Sequence, residues 1–381
     1  MKPTLTLNYK SLLIFLAIFF AFTPYDSPGG SYTFGLIRYI LVLSMMILYF
    51  GWSIKNIEVS GRQVAGIVVI LSLLGMCTFN SLQDGVANLF RVIISITSAY
   101  LIYIAAMNNI NIVRRAIYQV MAVHVFFLYA QVAIYSIFGS LVDFHNILYP
   151  FSYARLAIYD EIGVVRFSGL QNEPGTYAAM VSLLIFLKFI YSMKTSIFDF
   201  LLVFSVILTF SSAGFVFCSL LFISILWSKR HSRLALIVVA FSISACVGIS
   251  LYFGVLDYLL FRFNTDGYTS PSLLSKLQAI EFFIQADPMR QLLGSGLGFN
   301  DCYDCDSIQD LGVLYNFVNQ LGIFSIIIFT IHFLLFPIKG VVAYIFLFSM
   351  FLSKLYIVEP AIWIALMLTS FCTIKFVSEN E

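Results

Sequence analysis

Charge is what this chain has least of. Only 10% of its 381 residues are Asp, Glu, Lys or Arg, against roughly 25% in a soluble domain. That scarcity excludes an ordinary water-soluble enzyme. The net charge is +2, too small an excess to point to nucleic acid. The apolar stretches lack the two-residue alternation of an outer-membrane β-barrel, which excludes that class. No small-x-small cleavage site follows Phe22, so the first apolar run is expected to be a retained span and not a removable signal. Internal repeats and a separate soluble domain are also missing. Six cysteines are scattered along the chain.

What fills the chain is long apolar runs. Hydrophobic residues make up 61% of it. "SLLIFLAIFFAFT" (11–23) and "LALIVVAFSISACVGISLYF" (234–253) are apolar all round, and about 20 such residues match a bilayer core. Helices satisfy their backbone hydrogen bonds internally, so the expected fold is an all-α polytopic membrane protein. Twelve transmembrane helices are expected, near 9–25, 34–54, 63–79, 89–107, 116–138, 175–192, 196–211, 213–228, 234–254, 312–335, 340–355 and 360–375. The chain reads as one integral membrane domain over 1–381. Two connections are long, 139–174 and 255–311, and long loops tend to carry function.

The few charges are sorted. Lys10, Lys55, Arg62, Arg114, Arg115, Lys194, Lys229, Arg230 and Lys339 fall in one set of connections, which makes that side cytoplasmic and places both termini inside. Most acids fall on the other side. Within the second long loop, Ser270 and Pro271 suit a helix start. Leu273, Leu277, Ile280 and Ile284 form an apolar stripe for the membrane surface, and Asp287-Pro288 is expected to stop it.

Against that sorting, Arg155, Arg166, Arg262, Lys276 and Arg290 sit in the two long outer loops, and Arg38 and Arg91 lie near outer span ends. Guanidinium forks pair with phosphate oxygens and keep their proton. Clustered at a membrane surface, they suit the phosphate of a lipid head group; the plainer reading pairs them with the outer acids. Glu173-Pro174 stands just before an apolar run. It is either a helix start favoured by the dipole, or a general base, or the anchor of Arg166.

Four stretches together resemble a known family. "RFSGLQNEPGTYAAM" (166–180) is similar to the Arg-x-x-Gly-x-x-x-Glu-Pro-x-x-x-Ala stretch of bacterial O-antigen polymerases, the Wzy family. "ILTFSSAGFVF" (207–217) resembles that family's "TxSRxG" turn, with its arginine missing. "SKLQAIEFFIQADPMRQLLGSGLGFN" (275–300) resembles its "R…P…GxGxG" segment. "DLGVLYNFVNQLGIFS" (310–325) resembles the span that follows. The resemblance implies a GT-C-type membrane glycosyltransferase acting on undecaprenyl-diphosphate-linked oligosaccharides, one as donor and one as acceptor, with no nucleotide sugar and no metal. It also implies a chain-length regulator as a possible partner. Arg166 matches the family's first-loop arginine. Arg262 is taken as the second-loop arginine, Lys276 falls where relatives carry arginine, and Arg290 is a further diphosphate-binding candidate. Glu173 or Asp310 would take the acceptor's proton. O-antigen ligases, the sister family, carry a histidine in the stretch matched by 310–316; this chain has none between His231 and His332.

"NDCYDCDSIQD" (300–310) has one Cys-x-x-Cys, but structural zinc needs four ligands, and the EF-hand spacing is absent. A local Cys302–Cys305 disulfide is the favoured reading in an oxidising compartment. Outer tyrosines such as Tyr149, Tyr153 and Tyr159 serve as interfacial anchors or as stacking surfaces for sugar rings.

Overall fold

A computed structural model of the protein describes residues 9–25, 32–51, 60–78, 82–150, 152, 158–159, 164–191, 197–228, 244, 278, 280–298, 312–338, 340–353 and 355–371. Within them the chain is helical apart from loops and one pair of very short strands. The helices are α1 (Tyr9–Ala21), α2 (Tyr32–Gly51), α3 (Gly61–Thr78), α4 (Leu82–Asn108), α5 (Ile110–Phe138), α6 (Phe144–Leu148), α7 (Pro174–Ile190), α8 (Ile197–Ile207), α9 (Ser212–Ser228), α10 (Pro288–Leu293), α11 (Val313–Leu321), α12 (Phe324–Leu335), α13 (Val341–Leu352) and α14 (Pro360–Thr369). β1 (Ile158–Tyr159) and β2 (Val164–Val165) pair antiparallel, with Ile158 opposite Val165.

Among the described residues, three segments are long and apolar enough to cross a bilayer: Gly61–Thr78, Gly85–Asn108 and Ile110–Phe138. The 29 residues of α5 cover about 44 Å at 1.5 Å per residue, more than a bilayer core of about 30 Å. Seven shorter apolar helices accompany them. The protein is therefore a membrane-embedded helical bundle.

Its centre is built from α7 and α14. A helix apolar on every side has no face to give to water and must be surrounded. Every residue of α14 is buried, and so is every residue of α7 except Gly175. α4 packs along α14, α9, α5 and α13 pack on α7, and α1 contacts both α2 and α5. Both central helices start with Glu-Pro: Glu173-Pro174 and Glu359-Pro360. Proline suits a first turn because the N–H it lacks has no helical partner there.

Three expectations need correction or completion. The run 312–335 is not one straight span. It breaks into α11 and α12 at an angle of 118°. Gly322 takes φ 57°, and its N–H closes α11 on the Val318 carbonyl. A side chain there would overlap the Gln291 carbonyl and the Gly294 nitrogen. Ser295 and Gly296 donate their N–H groups to the Asn319 and Gln320 carbonyls. The glycine-rich segment thus caps α11 from outside, a tertiary constraint that the apolar run does not display. Secondly, Asp287-Pro288 begins a helix as well as ending one. Residues 280–285 are helical, and the Asp287 carboxylate then accepts the N–H groups of Met289 and Arg290 to start α10. Thirdly, the end of the 139–174 connection is packed into the protein and does not stand clear of it: Phe167 to Gln171 are buried in the bundle. The expected span 234–254, apart from residue 244, and Ser270, Leu273 and Leu277 lie outside the described residues.

Candidate functional site

The loop 166–173 runs into the N-terminus of α7 and is clamped by buried polar groups. Gln131, on α5, is fully buried. Its side-chain oxygen accepts the N–H groups of Ser168 at 3.0 Å and Gly169 at 2.9 Å, and its amide nitrogen donates to the Val142 carbonyl at 2.7 Å. Gln171 donates to the Phe22 carbonyl at 2.8 Å, where α1 ends, and lies 3.4 Å from His124 Nδ1. The other ring nitrogen of His124 lies 3.3 Å from the Thr23 hydroxyl. His145 bonds the Leu170 carbonyl at 2.9 Å. Gly169 takes φ 58°, and a Cβ there would press on the Leu128 backbone at 3.1 Å. Buried backbone groups without partners are costly, so this matched set holds the loop in one shape.

That shape delivers Arg166 and Glu173 to the turn between α8 and α9. Arg166 Nε donates to the Thr209 carbonyl at 3.4 Å. A Cβ on Gly175 would lie 3.3 Å from Glu173 Oε1 and 3.7 Å from Ser211 Oγ, so the carboxylate and the serine hydroxyl flank the same spot. The receiving turn is strained, since Phe210 takes φ 45°, a region that bulky side chains rarely occupy and that recurs at functional sites. Both Arg166 and Glu173 are half-buried.

Glu173 is not the anchor of Arg166. The ion pairs among the described residues are Arg38–Glu359 and Lys188–Asp199. The Glu173 carboxylate caps no N–H of its own helix and is left facing the α7 mouth. One cation and one uncommitted carboxylate therefore share a rigid rim. Such an arrangement can hold an anionic group and accept a proton beside it.

The remaining predicted residues are distributed otherwise. Arg290 lies in the last turn of α10, half-buried, with its guanidinium 4.4 Å from the centre of the Phe282 ring. Arg262, Lys276, Asp310, Cys302 and Cys305 lie outside the described residues. Tyr149 is largely committed to structure: its hydroxyl donates to the Thr23 carbonyl at 2.9 Å, and burial raises its ionisation above the ordinary phenol range, so it stays a neutral donor.

Sequence reasoning missed the clamp, and it named Arg38 and Arg91 at outer span ends without showing that they gather with Glu359 and Asn88. Arg38 on α2 pairs with Glu359 at 2.5 Å. Arg91 on α4 bonds the Asn88 side chain at 3.1 Å, and Asn88 donates to the Leu297 carbonyl at 2.7 Å. A signal for the Glu359 end was the second Glu-Pro, "VEPAIWIAL" (358–366), which repeats the Glu-Pro of 173–174 ahead of an apolar run. No family model, curated protein or solved structure matches this chain.

Proposed function

We propose that the chain is a glycosyltransferase of the O-antigen polymerase type in a bacterial inner membrane, with both termini cytoplasmic. It would join undecaprenyl-diphosphate-linked oligosaccharide repeat units at the periplasmic face. The observation that carries the reading is that Arg166 and Glu173 both reach the α8–α9 turn at one clamped helix mouth, Arg166 at Thr209 and Glu173 beside Gly175 and Ser211. The turn whose family arginine is missing, "TFSSAG", is the turn against which Arg166 lies, so a cation is present there from another part of the chain.

In this mechanism Glu173 takes the proton of the acceptor hydroxyl as that oxygen attacks the anomeric carbon of the donor. The bond from that carbon to the diphosphate oxygen breaks, and undecaprenyl diphosphate leaves. Arg166 stabilises the charge growing on that oxygen. Arg290, Arg262 and Lys276 are further cations for the diphosphate, and Asp310 is the alternative base.

The test is the surface glycan of cells whose only copy carries Arg166→Ala. The expected result is loss of the polymer ladder with single repeat units retained and normal protein levels. A normal ladder removes Arg166 from the site, and bare lipid A core indicates a ligase instead. One observation favours a transporter: the broken α11–α12 pair, since interrupted helices are common in transporter sites. Movement of an unaltered lipid-linked glycan across vesicle membranes would establish that reading.

A further inference from the structure

The Arg38 cluster is built on α2, α4 and the start of α14, none of which carries Arg166, Glu173 or Thr209 of the other rim. Arg38 is 2% exposed, and only its Nη2 is used by Glu359. Its Nε and Nη1 are buried with no hydrogen-bond partner. A guanidinium keeps its proton in proteins, so both remain donors. Buried donors without acceptors are rare, and each calls for an explanation.

A third donor stands nearby. The Tyr25 hydroxyl is buried with no partner, and its ring meets the Tyr149 ring edge-on at 5.4 Å. Tyr149 in turn is close enough to Arg38 to feel its charge. A second guanidinium borders the same aromatic ring as the first. Arg38 and Arg91 lie 4.8 Å and 5.9 Å from the centre of the same Tyr39 ring. Gly35, one turn before Arg38, leaves room for Arg91, whose Nη2 would stand 3.2 Å from a Cβ at that position. Through Asn88 the glycine-rich segment is fastened beside this pair at Leu297.

Unfilled donors on a permanent cation, beside a second cation and a phenol, call for a ligand with several acceptor oxygens and negative charge. We propose that Arg38 and Arg91 hold a phosphate group, forming an anion site separate from that of Arg166. Phosphate fits because each of its oxygens accepts more than one hydrogen bond and guanidinium forks match its geometry. That the occupant is the second of two lipid diphosphates rests on the reading of a polymerase; that the site takes phosphate does not.

Glu359 gives the proposal its test, because the carboxylate competes with phosphate for Arg38. Farnesyl diphosphate is titrated into the purified full-length protein, with inorganic diphosphate as competitor. The wild type is expected to bind two equivalents, and Arg166→Ala and Arg38→Gln one each. Glu359→Gln is expected to bind about tenfold more tightly at the remaining site of an Arg166→Ala background, the scale of one charge-assisted hydrogen bond. If Arg38–Glu359 is only a structural pair, Glu359→Gln lowers the melting temperature and leaves binding unchanged. That result overturns the proposal, as does equal stoichiometry in wild type and Arg38→Gln. Competition by inorganic diphosphate identifies the phosphate itself as the ligand; farnesyl diphosphate binding without competition identifies a lipid-anchored group. Two-site binding without any polymer formation overturns the polymerase reading alone.

Discussion

Glu173 and Arg166 were legible in the sequence because charge is conspicuous in so apolar a chain. The groups that hold them were not. Gln131 clamps amides 37 and 38 positions away, and a lone glutamine in an apolar run looks like any tolerated polar residue. Arg38 and Glu359 meet across 321 positions, which no local pattern encodes. Two predictions follow from single side chains. Glu173→Gln keeps the shape of the helix start and removes the base, so turnover should fall about a hundredfold or more with the protein's melting temperature unchanged. Steady-state kinetics together with a melting curve check it; unaltered turnover would move the proton transfer elsewhere. Gln131→Leu leaves the Ser168 and Gly169 N–H groups buried and unpaired, at a cost of about 2–4 kcal/mol. A lowered melting temperature in detergent is expected, and an unchanged one would show that the clamp is not what holds the loop.

The element that the sequence concealed best is the break between α11 and α12. Apart from Asn316, Asn319 and Gln320, the residues from Val313 to Leu335 are mostly apolar, so a single span was the natural expectation. The cause of the break sits elsewhere in the chain, at Gly294 to Gly296, whose backbone lies on the end of α11. At Gly294 the chain takes φ 75°, and a Cβ would overlap the Gln320 carbonyl. Gly294→Ala should therefore lift the glycine-rich segment off α11. Hydrogen exchange at the Ser295 and Gly296 amides, slow in the wild type, should accelerate in the variant; equal protection in both would mean that the contact does not define the segment. The two Glu-Pro starts make the opposite case. Proline and a preceding acid are local signals, and they marked the beginnings of both central helices, although not their shared depth in the bundle.

Across the whole molecule, the polar groups of interest collect at one end. The end of α1, Asn88 and Arg91 near the start of α4, Gln131 late in α5, and the starts of α7 and α14 are joined by hydrogen bonds or ion pairs, directly or through the loops they hold. At the other end of α7, Lys188 pairs with Asp199 at the start of α8. Arg114 and Arg115 stand at the start of α5, far along that helix from Gln131. The charge sorting, which assigns the basic connections to the cytoplasm, would put the polar end outside. It predicts the labelling of single cysteines in a cysteine-free background. Ser140, exposed after α5, should react with an impermeant maleimide on cells with a permeabilised outer membrane; Asn109, exposed between α4 and α5, should not. The reverse pattern would invert the topology. The central claim, a polymerising transfer at the Arg166–Glu173 mouth, is tested most directly by reconstitution. Purified protein in liposomes is given lipid-linked repeat units extracted from cells that lack it. The wild type should yield a ladder of lengthening glycans with release of undecaprenyl diphosphate, and Arg166→Ala should yield neither. Repeat units that remain single in the presence of the folded wild-type protein would contradict the account.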